Sequence, residues 1–396
     1  MRLSSTPWLA GTLAIFVSAL VAVTVNGQVA PAQAPAQAAP AGTAPKQIMV
    51  EDVYTNVQLL KGIPAAELWD TMGFIAAATG LNCVGCHVDA SLIDIARFAD
   101  DTPLKRKARQ MIEMMNGINK TYYGGARVVS CNSCHNGGNR PEPVPSLVRQ
   151  YTVPEDDPNT VELVPNITGP SAVEILDKFV AASGGAQRLA ALTSYTGKGT
   201  YRGFDTYDQA VPVEVFARAP NQRTLVVHTQ NGDSTFTFDG REGWVAAVDR
   251  PRLLMPMTPS EIDSARIEAD LAFPASIRTS LSQAQAGFPP TYVNEKKANV
   301  IQVMGAARTR TKLFFDAESG MLLRAVRFIP TMIGTVQNQI DYEAYEEVAG
   351  VKVPVKWTVT WTSGQAHIEL TDVQPNVAIP AARFGQPAPA VLKRVR

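Results

Sequence analysis

The period of the apolar positions changes along the chain. Leu68, Met72, Ile75 and Ala76 follow one another at three- and four-residue steps behind Pro64, a residue suited to a first turn, and Gly80 ends the run, which predicts a helix. Thr102 and Pro103 read as the N-cap and first residue of a second helix, with Ala108, Met111, Met115 and Ile118 on one face and Gly124-Gly125 past its end. A further helical stretch, Val173 to Leu192, is broken at Gly184-Gly185. Beyond it the period falls to two. Val213, Val215 and Ala217 alternate, as do Trp357, Val359 and Trp361, while Arg223 to Gln230 and Asp233 to Phe238 form a hairpin about Asn231-Gly232. Phe238-Asp239-Gly240 and Phe315-Asp316-Ala317 read as tight turns between apolar strands, and Ser260 to Asp270 and Ala275 to Ala284 as helices inserted in the series. The expected fold is a mainly α unit followed by an α+β unit with a curved antiparallel sheet.

Composition divides the chain further. Arg2 precedes an apolar run, Trp8 to Val25, with small residues after it, so residues 1–27 read as a signal peptide or, since the run reaches the ~18 residues a span needs, as an N-terminal anchor. Either places the rest in the periplasm, with or without attachment to the inner membrane. Residues 28–47, nearly all Ala, Pro, Gln and Gly, form a tether, and a second proline-rich stretch between Pro141 and Pro170 marks a boundary. The units are therefore 48–145 and 171–396, joined by a linker at 146–170. With 36 Lys+Arg against 36 Asp+Glu in 396 residues there is no global field to hold a polyanion, so no nucleic-acid partner is expected.

Chemistry concentrates in the helical unit. The chain's four cysteines fall as Cys83-Val84-Gly85-Cys86-His87 and Cys131-Asn132-Ser133-Cys134-His135, each string following a helix. Two thiols at this spacing can form thioethers to haem vinyl groups while the next imidazole reaches the iron from the same side. The alternatives are a zinc site assembled from both motifs and a thiol-redox CxxC, although the latter favours a βαβ setting absent here. Two covalent c-type haems, through Cys83, Cys86, Cys131 and Cys134 with His87 and His135 on iron, are the expected cofactors. The sixth iron position is open, and if a side chain closes it, methionine or one of the two other histidines is the candidate. Met72 lies 11 residues ahead of Cys83 and Met111 20 ahead of Cys131, but Met114 and Met115 share the second helix, and helical methionine is also ordinary core filler. His228 and His367 lie on strand-like sequence and read as solvated strand residues. The cations Lys105, Arg106, Lys107 and Arg109 crowd the first turns of the second helix, against its dipole; they read as a solvated face, a partner for haem propionates or a docking patch for an acidic redox protein.

The segment from about Tyr54 to Pro145 resembles the cytochrome c subunit of photosynthetic reaction centres. Asp70-Thr71-Met72-Gly73-Phe74-Ile75 precedes the first CxxCH, and Arg109-Gln110-Met111-Ile112-Glu113-Met114 with Ile118-Asn119 precedes the second. The resemblance implies Met72 and Met111 as sixth ligands. That family typically carries four haems and an arginine where Asn136 stands here, so it implies a related two-haem carrier, with Arg127 or Arg140 in the missing arginine's role. The carboxy-terminal unit is similar to periplasmic lipoprotein-carrier and lipoprotein-sorting proteins, in which a half barrel covered by helices encloses an apolar cavity for acyl chains; inward apolar strand residues look alike in a cavity and in a filled core.

These readings combine into a periplasmic electron-transfer protein rather than an enzyme, exchanging electrons with unidentified donor and acceptor proteins. Its carboxy-terminal unit would be available for lipid or lipoprotein contact. The competing readings are a dihaem peroxidase-type enzyme with one open iron site, and a lipid- or lipoprotein-binding protein whose haems sense redox state.

Overall fold

The structure is a computed structural model that describes residues 45–92, 94–152 and 157–393. The apolar amino-terminal run and nearly all of the Ala/Pro-rich tether lie outside the described residues. Pro64 stands extended ahead of a 3-10 turn at Ala65–Glu67, which leads into α1 (Leu68–Thr79). Gly80, in the left-handed region at φ 67°, ends α1 as its spacing requires. Each CxxC makes a single helical turn, α2 (Cys83–Cys86) and α4 (Cys131–His135), and between them runs α3 (Pro103–Tyr122), capped by Thr102. The expected apolar face of α3 is rotated slightly. Ile112, Met115 and Asn119 are its buried residues, whereas Met111 and Ile118 are only half-buried.

After a short α5 (Leu147–Tyr151), helices α6 (Ala172–Ala182) and α7 (Ala186–Ala191) are parted by Gly184 and Gly185, both at positive φ. The strands follow: β1 (Ser194–Gly203), β2 (Ala210–Arg218), β3 (Gln222–Thr229), β4 (Gly232–Phe238), β5 (Gly243–Ala246) and β6 (Met255–Pro256). Helices α8 (Pro259–Ala272) and α9 (Ile277–Ser280) intervene. Then come β7 (Thr291–Val293), β8 (Lys296–Met304), β9 (Arg310–Asp316), β10 (Leu322–Pro330), β11 (Thr335–Val348), β12 (Val351–Trp361) and β13 (Gly364–Pro375). α9 is shorter than the expected Ala275 to Ala284: a 3-10 turn at Pro274–Ser276 takes its first residues, and the helix ends at Ser280.

All these strands join one antiparallel sheet in the order β6-β5-β4-β3-β2-β1-β13-β12-β11-β10-β9-β8-β7, open at two short ends. The two Phe-Asp turns are hairpins of the same build. Asp239 Oδ1 accepts from the N–H groups of Arg241 and Glu242, and Asp316 Oδ1 from those of Glu318 and Ser319. Helices α6, α8 and α9 cover one face through Leu176, Phe179, Ile267 and Ile277 against Ile301, Leu313 and Phe315. On the other face Phe314, Val326 and Phe328 pack with Val161, which belongs to the proline-rich stretch. That stretch is fastened there by Lys312, whose side chain is fully buried and whose Nζ donates to the carbonyls of Asn159, at 2.9 Å, and of Val161.

The helical part rests on the turn between β10 and β11. Phe74 of α1 packs with Ile333 and Val336, and its ring lies so close to Gly334 that a Cβ there would fall 2.4 Å from the ring edge. Arg127 donates to the carbonyl of Thr331 in the same turn. No helix among the described residues is long and apolar enough to cross a membrane.

Candidate haem-attachment site

The first motif is built by its flanks. Asn82 Oδ1 accepts from Gly85 N at 3.0 Å, closing the turn that carries Cys83 and Cys86 on one side. Thr102, while capping α3 through Lys105 N, donates its hydroxyl to the carbonyl of Cys86 and so ties the start of α3 to the end of α2. In the second motif Ser130 N donates to Ser133 Oγ at 3.1 Å. The lead-in is held by Asn119, 4% exposed, which accepts from Val128 N and Val129 N and donates to Val129 O. One helix therefore positions both motifs, the first at its beginning and the second at its end. α1 packs against α4 rather than against the motif that follows it in sequence, and Gly137 N donates to Ala78 O at 2.9 Å to cover the last turn of α1.

The two histidines differ. His87 is half-buried, its ring edge-on to Phe98 with centroids 4.9 Å apart, and its Nδ1 is buried with no hydrogen-bond partner. Burial, followed by the positive charge of Lys105, holds its pKa below the usual histidine value. His135 Nδ1 lies 3.1 Å from the carbonyl of Gly138, which leaves its Nε2 free to act as a ligand.

All four cysteines are free, Cys83 and Cys134 exposed, Cys86 and Cys131 partly so. Burial raises the pKa of Cys86 and of Cys131, the opposite of the activation a thiol-redox CxxC needs. The motifs also remain apart: among the described residues no three of His, Cys, Asp or Glu converge as metal ligands, which removes the assembled zinc alternative. The donor set fits covalent haem. So does the surface around it, because Trp69, Ile95, Leu104, Met114 and Val128 are left exposed beside a small side-chain core of Phe74, Ala78, Ile112 and Met115. A flat apolar macrocycle is the kind of group that would cover such residues.

Met72 and Met111 lie half-buried on α1 and α3. Met115 is 5% exposed and packed in the core cluster that Cys131 also joins, while Met114 is 49% exposed. Two of the four cations at the start of α3, Lys105 and Arg109, are committed within the chain, while Arg106 and Lys107 are exposed. Lys105 Nζ donates to the carbonyls of Phe98, Ala99 and Asp100 at 2.8, 3.0 and 3.1 Å, and Arg109 pairs with Asp101 at 2.8 Å. Those carbonyls end the 3-10 turn Ile95–Ala99, so the cost of cations at the start of α3 is offset by capping the turn before it. Sequence reasoning missed this role, and also that of Asn119, because both depend on which loop folds back onto α3. Arg127 is likewise engaged, with Thr331.

His228 lies between Glu214 and Asp233, and His367 Nδ1 meets Thr358 Oγ1 at 2.8 Å, so both are strand residues with local partners. Between the sheet and its helices lies a cavity of about 50 Å³, edged by Arg223, Glu268, Tyr195, Tyr342 and Trp357. Arg223 and Arg327 both grip Glu268, at 2.7 and 2.8 Å. A cavity of roughly 150 Å³ admits one benzene ring. This cavity is smaller than that and is crossed by an ion network.

The carboxy-terminal sheet part is similar to a LolA superfamily protein from Nitrosomonas europaea, at 13% identity over 55% of this chain and 98% of that one, with a TM-score of 0.37. It is also similar to a putative outer membrane lipoprotein-sorting protein domain from Vibrio parahaemolyticus, at 7% identity over 54% and 95% of the two chains, with a TM-score of 0.37. A DUF1329 family protein from Desulfovibrio piger matches at 9% identity over 53% and 95%, with a TM-score of 0.36. Nothing about ligands follows from likenesses at this level. Residues 15–172, which contain both CxxCH motifs and the helices that hold them, match the family described as photosynthetic reaction centre cytochrome C subunit.

Proposed function

We propose that this chain is a periplasmic one-electron carrier holding two covalent c-type haems. The observation that carries this reading is the pair of one-turn helices, each presenting two free cysteines three residues apart and ending on a histidine. Cys83, Cys86, Cys131 and Cys134 form the thioethers, and His87 and His135 are the proximal ligands. Haem supplies the reversible iron couple. The chain's own part is to fix the imidazoles, exclude water and set the electrostatics. Met72 and Met111, half-buried on α1 and α3, provide the distal thioethers, a choice supported by the resemblance of their segments to the reaction-centre cytochrome subunit. Ligation on both sides of each iron leaves no open position for substrate, which supports a carrier over a peroxidase.

The test is the intact mass and optical spectrum of the mature chain produced together with c-type haem maturation machinery. Two haem masses above the polypeptide and a low-spin spectrum with a sulfur-to-iron band are expected. A colourless product of bare polypeptide mass overturns the reading, and a high-spin ferric haem that binds peroxide overturns the carrier in favour of the enzyme.

A further inference from the structure

The two CxxCH motifs are alike in sequence and unlike in surroundings. Behind His87 runs the segment Phe98 to Asp101. Its ring, Phe98, stands against the imidazole at 4.9 Å, and its carbonyls of Phe98, Ala99 and Asp100 are all taken by Lys105 Nζ. The neighbouring charges cancel pairwise, Arg97 with Asp100 at 2.6 Å and Arg109 with Asp101 at 2.8 Å. Lys105 is left as the cation whose nearest carboxylate, Asp101, stands off at 3.7 Å, and its side chain is only 14% exposed, so solvent screens it poorly. His87 Nδ1 meanwhile makes no well-formed hydrogen bond, and the Phe98 carbonyl beside it is shared with Lys105 Nζ. At the second motif the arrangement is reversed. His135 Nδ1 has the Gly138 carbonyl at 3.1 Å, an acceptor that no other side chain occupies among the described residues and that makes an imidazole a stronger donor to a metal.

Two physical effects then act in the same direction. A nearby fixed cation favours whichever oxidation state of a centre carries less positive charge, and in a partly buried site this effect is several times larger than in water. A hydrogen bond from the ligand imidazole to a free carbonyl favours the more positive state. We propose that Lys105 makes the two centres unequal, so that a single electron shared between them resides at the first motif, on the His87 side, rather than at the second. This rests on the two-haem reading above. Lys105 touches neither ligand; it is a positioning and tuning residue that acts through the Phe98–Asp100 carbonyls. The internal exchange balances without a proton, since one iron loses the electron that the other gains.

The experiment is an optical redox titration of the full haem-loaded chain. Two separate one-electron steps are expected. A Cys83→Ala/Cys86→Ala double variant, which removes attachment at the first motif, should retain only the lower step, and a Cys131→Ala/Cys134→Ala variant only the upper one. Lys105→Met, which keeps the stem and removes the charge, should lower the upper step and leave the lower one in place, while Lys105→Arg should keep the upper step near its original position. The inference is overturned if the steps coincide, if the variant lacking the first attachment retains the upper step, or if Lys105→Met moves neither step or both equally. Should Lys105→Met lose haem at the first motif, the same comparison between Lys105→Gln and Lys105→Arg decides. A protein with two haems and the opposite order of steps defeats this inference alone, whereas a colourless protein defeats the two-haem reading beneath it.

Discussion

Replacing Asn119 by alanine tests how the second motif is held. Asn119 is 4% exposed, and its amide makes three bonds to the chain entering Cys131: Oδ1 accepts from Val128 N at 3.2 Å and Val129 N at 2.9 Å, and Nδ2 donates to Val129 O at 2.7 Å. Alanine strands all three backbone groups. Val128 is 57% exposed, so its N–H can return to water, and the cost falls on the N–H and C=O of Val129. At about 1–2 kcal/mol for each buried group left unpaired, Asn119→Ala should lose roughly 2–4 kcal/mol. The damage lies at the end of α3, away from Thr102 and the first motif. The expected outcome is therefore selective: urea unfolding shifts by that amount, and haem attached at Cys131 and Cys134 falls while haem at Cys83 and Cys86 holds. Asn119→Asp retains the acceptor but sets a second oxygen against Val129 O, and should lie between the two. If Asn119→Ala unfolds within about 0.5 kcal/mol of the parent protein and keeps its full haem load, the account of α3 as the brace of both motifs is wrong.

Other perturbations read different parts of the structure. Met72→Ala and Met111→Ala should each keep covalent haem but lose half of the sulfur-to-iron band and lower one midpoint potential; an unchanged band in either variant removes that residue as a ligand. Burial, then the negative charge of Glu261, pushes the pKa of Glu67 from 4.5 up to about 7. The folded protein therefore holds a proton there that the unfolded chain releases, and this contribution, roughly 2–3 kcal/mol, is complete below pH 4.5 and lost as pH rises toward 7. Glu67→Gln should flatten the fall in stability across that window in a pH series of urea melts, and an unaltered slope would refute the assignment. Lys312→Met removes the ammonium under the carbonyls of Asn159 and Val161, and about 2–4 kcal/mol should go with it. Hydrogen exchange should then speed up at 157–164 before it does so at α1, and equal rates would contradict the fastening described for that stretch.

Chemistry that acts within a few residues was legible in the sequence. Thr102 and Pro103 start α3, Gly80 ends α1, and Gly184-Gly185 parts α6 from α7, because caps and breaks are decided locally. Alternation placed Val213, Val215 and Ala217 in the sheet core for the same reason. What escaped was long-range and polar. Asn119 is buried next to Ile118, the residue placed on the apolar face, since its partners arrive from the loop after α3. Lys105 looked like a surface charge until the Ile95–Ala99 turn folded against it, and Lys312 sits in a strand whose sequence carries no sign of the carbonyls it serves. Arg223, Arg327 and Glu268 were equally hidden, because their meeting requires β3, β10 and α8 to be assembled first. For the proposed haem centres, the covalent and proximal candidates are named by spacing alone. The distal methionines are not, because spacing places a side chain on a helix without saying which way it is used.

The two ends of the open sheet bear on how the protein behaves when crowded. Any exposed border strand invites a neighbour to add on, and a sheet this wide would otherwise be a template for end-to-end polymers. Here one border is Met255–Pro256, where the proline has no N–H to offer, and the other is Thr291–Val293, entered through Pro289 and Pro290. With so little free backbone at either side, molecules can gather densely without seizing edge to edge into fibres.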